Sequence, residues 1–196
     1  MSEQPRSIHF SLPAWLDDYL GQPAPFATVE ERMAFVIGAA RRNVEKGTGG
    51  PFGAGVFEVE SGRLMALGVN LVTSVGLSML HAEMVAISLA QRRLGVYDLG
   101  APGLPALELV SSAEPCAMCC GAIPWSGVGR LVYAAREADV RGIGFDEGDK
   151  APDWRQSLGR RGIEVIPEVM RTEATDVLAA YAAVGGGIYN ASPAPR

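Results

Sequence analysis

Apolar residues recur along this chain at changing intervals, and the changes mark out its elements. Leu12, Trp15, Leu16, Tyr19 and Leu20 share one helical face, and Pro23 and Pro25 follow them. This predicts a short packed helix within an N-terminal arm, residues 1–27, covering either core or a subunit interface. Thr28 and Glu31 have the spacing of a capping box. Met33, Val36, Ile37, Ala40 and Val44 then repeat at helical intervals as far as Lys46, where Gly47, Gly49, Gly50 and Pro51 end the pattern. Two short strand-like runs, Gly53–Glu58 and Leu64–Val69, flank Glu60-Ser61-Gly62 and predict a hairpin.

After a loop over Thr73–Leu80, a second helix is expected at Ala82–Arg93, with Val85, Ile87, Leu89 and Ala90 among its apolar residues. Leu107–Val110 reads as a buried strand. Cys116–Trp125 reads as a helix whose end Pro124 limits. Leu131–Ala134 is a strand, Val140–Gly148 is mostly loop, and Ile163–Ile166 is a further strand. A last helix covers Thr172–Ala183, and Gly185-Gly186-Gly187 stops it and begins a mobile tail, residues 185–196. Strands alternating with helices place helices on both faces of one sheet, and the hairpin makes that sheet mixed. The expected fold is therefore α/β: a three-layer α/β/α sandwich around a mixed five-stranded sheet. At 196 residues, without a linker or repeat, the chain reads as one domain.

Composition narrows the partners. Lys and Arg number 17 against 22 Asp and Glu, a net charge of -5, so the basic excess of a nucleic-acid binder is missing and none is expected as a partner. No apolar run approaches the ~20 residues of a membrane helix. Met1-Ser2-Glu3-Gln4-Pro5 lacks the pattern of a secretory signal. The three cysteines, two of them adjacent, do not form a disulfide framework. These features lead us to expect a soluble, cytoplasmic protein.

The chemistry concentrates at two loop-to-helix junctions, His81-Ala82-Glu83 and Pro115-Cys116-Ala117-Met118-Cys119. Cysteines at i and i+3 at a helix start can turn both sulfurs to one point, where the helix N-terminus favours thiolates. One histidine and two thiolates suit Zn²⁺ and leave its fourth position open. Glu83, two residues from His81, is placed to move a proton to and from water there. H-x-E followed by P-C-x-x-C is the signature of zinc nucleobase deaminases. A structural zinc would need a fourth ligand, and only His9 and Cys120 remain; these read as a surface residue and a small core residue.

The chain resembles the zinc-dependent cytidine deaminase superfamily, and within it the guanine deaminase branch. The likeness runs from about Thr28 to Asn190. It is carried by Gly50-Pro51-Phe52-Gly53-Ala54, Gly68-Val69-Asn70, the two zinc motifs, and Gly144-Phe145-Asp146-Glu147. The resemblance implies conversion of guanine to xanthine and ammonia, a role in purine breakdown, one zinc per chain held by His81, Cys116 and Cys119, and a homodimer. It implies that Glu83 is the main catalytic acid and base and Glu147 the second acid. It also implies that Asn70 bonds the purine edge, that Phe52 and the backbone of Ala82 line the pocket, and that Trp125 and Phe145 pack on the ring. Tyr189 and Asn190 would belong to a tail that closes the site as a lid.

Other readings stay open at this stage. Asp146-Glu147 has the composition of an exposed acidic turn, Asn70 that of a strand-ending turn, and Tyr189 that of a frayed terminus. The same chemistry would serve an aminotriazine, cytosine, a purine nucleoside or a tRNA adenosine. A non-catalytic zinc-stabilised binding module is the reading from a different class.

Overall fold

The chain was analysed as a computed structural model that describes residues 4–21 and 24–191. Pro23 and the tail beyond residue 191 lie outside the described residues. Five strands form one sheet: β1 (Gly53–Glu58), β2 (Leu64–Val69), β3 (Leu107–Ala113), β4 (Arg130–Ala135) and β5 (Glu164–Ile166). Their order is β2-β1-β3-β4-β5. β1 is antiparallel to both β2 and β3, whereas β3, β4 and β5 are parallel.

Alternation along the strands divides the core into two layers. Phe57, Val110, Val132 and Ala134 face one way, and they pack with Met33 and Val36 of α2 (Val29–Glu45). Ala54, Val56, Leu109, Leu131 and Tyr133 face the other way. There they meet Ala86 and Ala90 of α3 (Ala82–Leu94) and Ile123 of α4 (Ala117–Ser126). This is the expected three-layer arrangement.

The expected capping box closes the N-terminus of α2. The Glu31 N–H donates to Thr28 Oγ1 at 3.1 Å, and the Glu31 carboxylate accepts from the Thr28 N–H at 3.3 Å. Before it, α1 (Trp15–Leu20) lies against α2, with Leu16 buried and the Tyr19 hydroxyl donating to Phe35 O at 2.7 Å. Of the two roles open to the arm, α1 covers core.

Several elements differ from the sequence reading. β3 runs to Ala113, beyond Val110, because the Ser112 hydroxyl accepts from the Gly53 N–H at 3.0 Å and so satisfies a polar group inside the sheet. Pro124 lies within α4, which ends at Ser126 before Gly127 (φ 84°). Val72–Gly76 makes a π-helical turn where loop was expected. Short helices α5 (Glu137–Gly142) and α6 (Trp154–Arg160) each bury one side chain, Val140 and Leu158, too few to give a periodic signal. The last helix, α7 (Arg171–Ala183), starts one residue early. Among the described residues no helix is long and apolar enough to cross a membrane.

Candidate metal centre and active site

The strand polarity sets the position of the site. β2, β3 and β4 run in one direction, and the residues following them (Asn70, Glu114-Pro115-Cys116 and Arg136) emerge at the same end of the sheet. Ligand sites in open α/β sheets lie at such carboxyl ends. His81 is the N-cap of α3 and Cys116 the N-cap of α4, so two helix N-termini converge there.

The His81 Nδ1 atom lies 3.5 Å from Cys116 Sγ and 3.8 Å from Cys119 Sγ, and all three donor atoms fall within 4.8 Å of one another. A tetrahedral zinc with Zn–N of ~2.1 Å and Zn–S of ~2.3 Å needs N···S edges of about 3.6 Å. The donor set therefore fits zinc in spacing and in chemistry. No fourth protein donor joins it among the described residues. His9 bonds Ser7 at the surface, and the Cys120 thiol donates to Pro115 O at 3.3 Å.

The two thiols share one proton. Cys119 beside it, aided by His81, holds the Cys116 thiol down to about 4. Cys119 goes the other way, because Cys116 keeps the shared proton on it and burial adds to that. A dication brought to this point favours the thiolate form of both. Burial lowers the His81 pKa, but bonding to Cys116 and the charges of Glu83 and Glu147 outweigh it and leave it raised.

A cavity of 360 Å³ opens beside the three donors. Glu83 and Glu147 both line it, and both are buried. Burial, then the nearby Cys116, push Glu83 up. Burial, followed by the charges of Cys116 and Glu83, push Glu147 up to about 8. The loop carrying Glu147 is tied to the metal-ligand helix, since Glu147 O accepts from the Ala117 N–H at 2.9 Å.

Asn70 also lines the cavity. Its Oδ1 accepts from the Val72 N–H at 3.2 Å, and no bond within the described chain uses its Nδ2 donors. Phe52, Phe145 and Tyr189 form an aromatic wall. Phe145 meets Phe52 at 5.2 Å and Tyr189 at 4.8 Å between centroids, both edge-on. The Tyr189 hydroxyl is buried and has no hydrogen-bond partner among the described residues. Asn190 clamps the tail to the loop below: Oδ1 accepts from the Asp146 N–H at 2.8 Å, and Nδ2 donates to Gly144 O at 3.0 Å. The end of the described chain thus covers its own site.

Two expected residues are not brought to the cavity wall. Ala82 is fully buried in the core beneath α3. Trp125 is 81% exposed and does not line the cavity. It lies six positions beyond Cys119, about 9 Å along the helix and a third of a turn round it. Lys150 was not anticipated. Its ammonium lies behind the metal-ligand loop, bonded to Pro115 O at 3.0 Å and to Glu114 and Glu137 at 2.8 Å. The run Asp146-Glu147-Gly148-Asp149-Lys150 gave no periodic or motif signal for it.

Comparison with known proteins places this arrangement. A family model described as the cytidine and deoxycytidylate deaminase zinc-binding region matches residues 27–135. The guanine deaminase of Bacillus subtilis (strain 168) is 41% identical over 108 residues, covering 55% of this chain and 65% of that protein. The tRNA-specific adenosine deaminase of the same organism is 35% identical, over 76% of this chain and 85% of its own length. A solved guanine deaminase from Nitrosomonas europaea is 46% identical with a TM-score of 0.88, over 93% of this chain and all of that one. Two solved mutant chains, an asparagine-to-alanine and a glutamate-to-aspartate, are in complex with 8-azaguanine. They are 47% and 46% identical, with TM-scores of 0.87 and 0.88, over 91% and 93% of this chain and 98% and 100% of theirs.

Proposed function

The chain belongs to the cytidine and deoxycytidylate deaminase zinc-binding family, and we propose that within it the protein is a guanine deaminase, hydrolysing guanine to xanthine and ammonia. The observation that carries this reading is the pair of buried carboxylates, Glu83 and Glu147, on one cavity with the His81–Cys116–Cys119 donor set. Deamination of an amino-purine needs proton transfers at two separate places, the ring nitrogen and the departing amine, and two acids divide that work. The asparagine and glutamate altered in the 8-azaguanine complexes are as many positions apart as Asn70 and Glu147, which supports roles for both.

Zinc, when bound by His81, Cys116 and Cys119, supplies a Lewis acid that makes water a nucleophile near neutral pH. Glu83 takes the proton of the attacking water and delivers it to the ring nitrogen beside C2. Burial suits it to both tasks, since a raised pKa makes a carboxylate a better base and its acid a usable donor. Glu147, held protonated near neutrality, gives a proton to the amine as its bond to C2 breaks, and takes back the hydroxyl proton released as C2 becomes a carbonyl. Water and guanine then become xanthine and ammonia without any other reactant. Asn70 donates its free amide hydrogens to the purine edge. Phe52, Phe145 and Tyr189 enclose the ring.

A cavity roofed by Tyr189 and Asn190 admits a free base rather than one carried on a polynucleotide, and the net charge of -5 agrees. The outer face of α4 presents Met118 and Trp125, 40% and 81% exposed, and the helix carries no charged residue. This face supports a homodimer built on α4. The need for two reduced thiols supports a cytoplasmic location.

The test is ammonia release from zinc-loaded protein given guanine, with loss of guanine absorbance followed in parallel. Turnover to xanthine that falls ~10²–10⁴-fold in Glu83→Gln, with zinc content unchanged, is the expected result. Turnover of cytosine, an aminotriazine or a nucleoside but not guanine would reassign the substrate. Zinc loss in Glu83→Gln would make Glu83 a support of the metal centre instead.

A further inference from the structure

Asn70 emerges from the end of β2, yet the group that fixes it belongs to α2. Asn43 is completely buried in α2, and its side chain is fully bonded. Its Nδ2 donates to Asn70 O and to Gly50 O, both at 2.9 Å. Its Oδ1 accepts from the Thr48 hydroxyl at 2.7 Å. The Thr48 oxygen in turn accepts from Trp15 Nε1–H at 3.0 Å, and the Thr48 N–H bonds Asn43 O at 3.0 Å. Asn70 is also tied across to the cavity wall, its N–H donating to Phe52 O at 3.0 Å.

Three features separate this cluster from ordinary helix packing. Asparagine is a poor helix former, and burying an amide costs free energy unless every polar atom is bonded, so an apolar residue would serve a helix-to-sheet contact better. Both donors of the amide go to backbone carbonyls of segments that line the cavity, and neither serves α2 itself. Space has also been cleared for the clamp: a Cβ on Gly49 would collide with Asn70 O and come within 2.8 Å of Asn43 Nδ2. Only a planar group with two donors and one acceptor can hold both carbonyls while being held by Thr48.

We propose that Asn43 is a positioning residue for substrate recognition. It locks Asn70 and the Gly50–Phe52 wall into one register, and Thr48 and Trp15 hold Asn43 in turn. The proposal rests on the reading of Asn70 as the residue that bonds the purine edge. Because Asn43 acts through Asn70, its loss must weaken ligand binding only while Asn70 is present.

The experiment is calorimetric binding of 8-azaguanine to the full-length, zinc-loaded chain, with guanine kinetics alongside. The variants are Asn43→Ala, Thr48→Val, Asn70→Ala and the two doubles containing Asn70→Ala. The expected result is that Asn43→Ala raises Kd about tenfold and Thr48→Val about threefold, with KM for guanine rising in step and kcat changing less. In the Asn70→Ala background both effects should shrink to within twofold, the mark of coupled residues. Equal weakening with and without Asn70, or no weakening at all, overturns the proposal. Should Asn43→Ala not fold, the milder Thr48→Val pair decides by the same rule. Wild-type protein that neither binds 8-azaguanine nor turns over guanine removes the guanine reading and this proposal together. Wild-type binding that is insensitive to Asn43 and Thr48 removes the proposal alone.

Discussion

Replacing Lys150 with methionine should lower the melting temperature by about 6–12 °C and reduce guanine turnover as well. The Lys150 side chain is 4% exposed. Its ammonium spends all three donors, on Glu114 Oε1 and Glu137 Oε2 at 2.8 Å and on Pro115 O at 3.0 Å, and it sits 5.3 Å from the Trp154 ring centroid. Burial lowers its pKa, but the two carboxylates outweigh that and leave it raised. Methionine keeps the stem and its packing and removes the donors. Glu137 is 28% exposed and retains Arg141 at 2.6 Å, so water and arginine absorb its loss. Glu114 is 7% exposed and keeps only Arg155 at 3.6 Å and the Glu137 N–H at 3.2 Å.

One buried carboxylate is therefore left poorly compensated. Breaking a buried pair costs about 3–5 kcal/mol, and the two residual partners put this case near 3. For a chain of 196 residues each kcal/mol shifts the melting temperature by ~2–4 °C, which gives the stated range. Scanning calorimetry of the zinc-loaded protein at pH 7 measures it. Adding Glu114→Gln removes the stranded charge and should recover about half of the loss. A melting temperature within 2 °C of wild type, or a double variant whose loss equals the sum of the singles, would refute the reasoning. Activity falls because Lys150 ties Pro115, next to the ligand Cys116, to the loop that carries Glu147.

Three further outcomes follow from the same geometry. In the proposed mechanism Glu147 carries a proton to the leaving amine, and an acid with a raised pKa stays protonated at pH 7 and loses its proton as pH rises. Guanine turnover should therefore fall about tenfold per unit above a limb at or below pH 8, at or below because zinc offsets the charge of Cys116 but not the burial, and a profile flat from pH 6.5 to 9 would exclude this role. Gly50→Ala sets a Cβ against the Tyr189 hydroxyl and 2.9 Å from its ring, so the tail should lift, KM for guanine rise about tenfold and the C-terminus become protease-sensitive at constant zinc content. Trp125→Ser should weaken self-association at least tenfold in sedimentation velocity if the face of α4 is the dimer contact; an unchanged profile removes α4 from it.

Elements with repeated apolar spacing or a local cap were legible in the sequence. α2 declared itself through Thr28, Glu31 and five apolar residues at helical spacing, and the hairpin through its turn. α5 and α6 were not legible, because one buried side chain in six or seven residues leaves no period to detect. α5 is secured instead by bonds that cross the fold. The Asp139 carboxylate accepts from the Arg136 N–H at 2.8 Å and is gripped by Arg171 at 2.7 and 2.8 Å, 32 positions away. α4 was legible too, and Pro124 falls within its last turn as expected, accommodated where Ile123 and Cys119 already bury the helix.

The site divides along the same line. The metal donors lie in two short motifs because a helix N-terminus brings i and i+3 together, so local chemistry requires local sequence. The groups that hold the reactive ones in place obey no such rule. Asn43 reaches Asn70 across 27 positions, and Lys150 reaches Glu114 across 36. Each pairing is created by the fold, so nothing in the spacing of either residue announces it. Both are legible afterwards by one physical criterion: a polar side chain removed from water whose donors reach backbone carbonyls beside the site, Asn70 and Gly50 for Asn43 and Pro115 for Lys150. Trp125 is the converse case, a large apolar side chain on the metal-ligand helix yet left in solvent. With Met118 it belongs to the uncharged outer face of α4, the face on which the proposed homodimer is tested by Trp125→Ser.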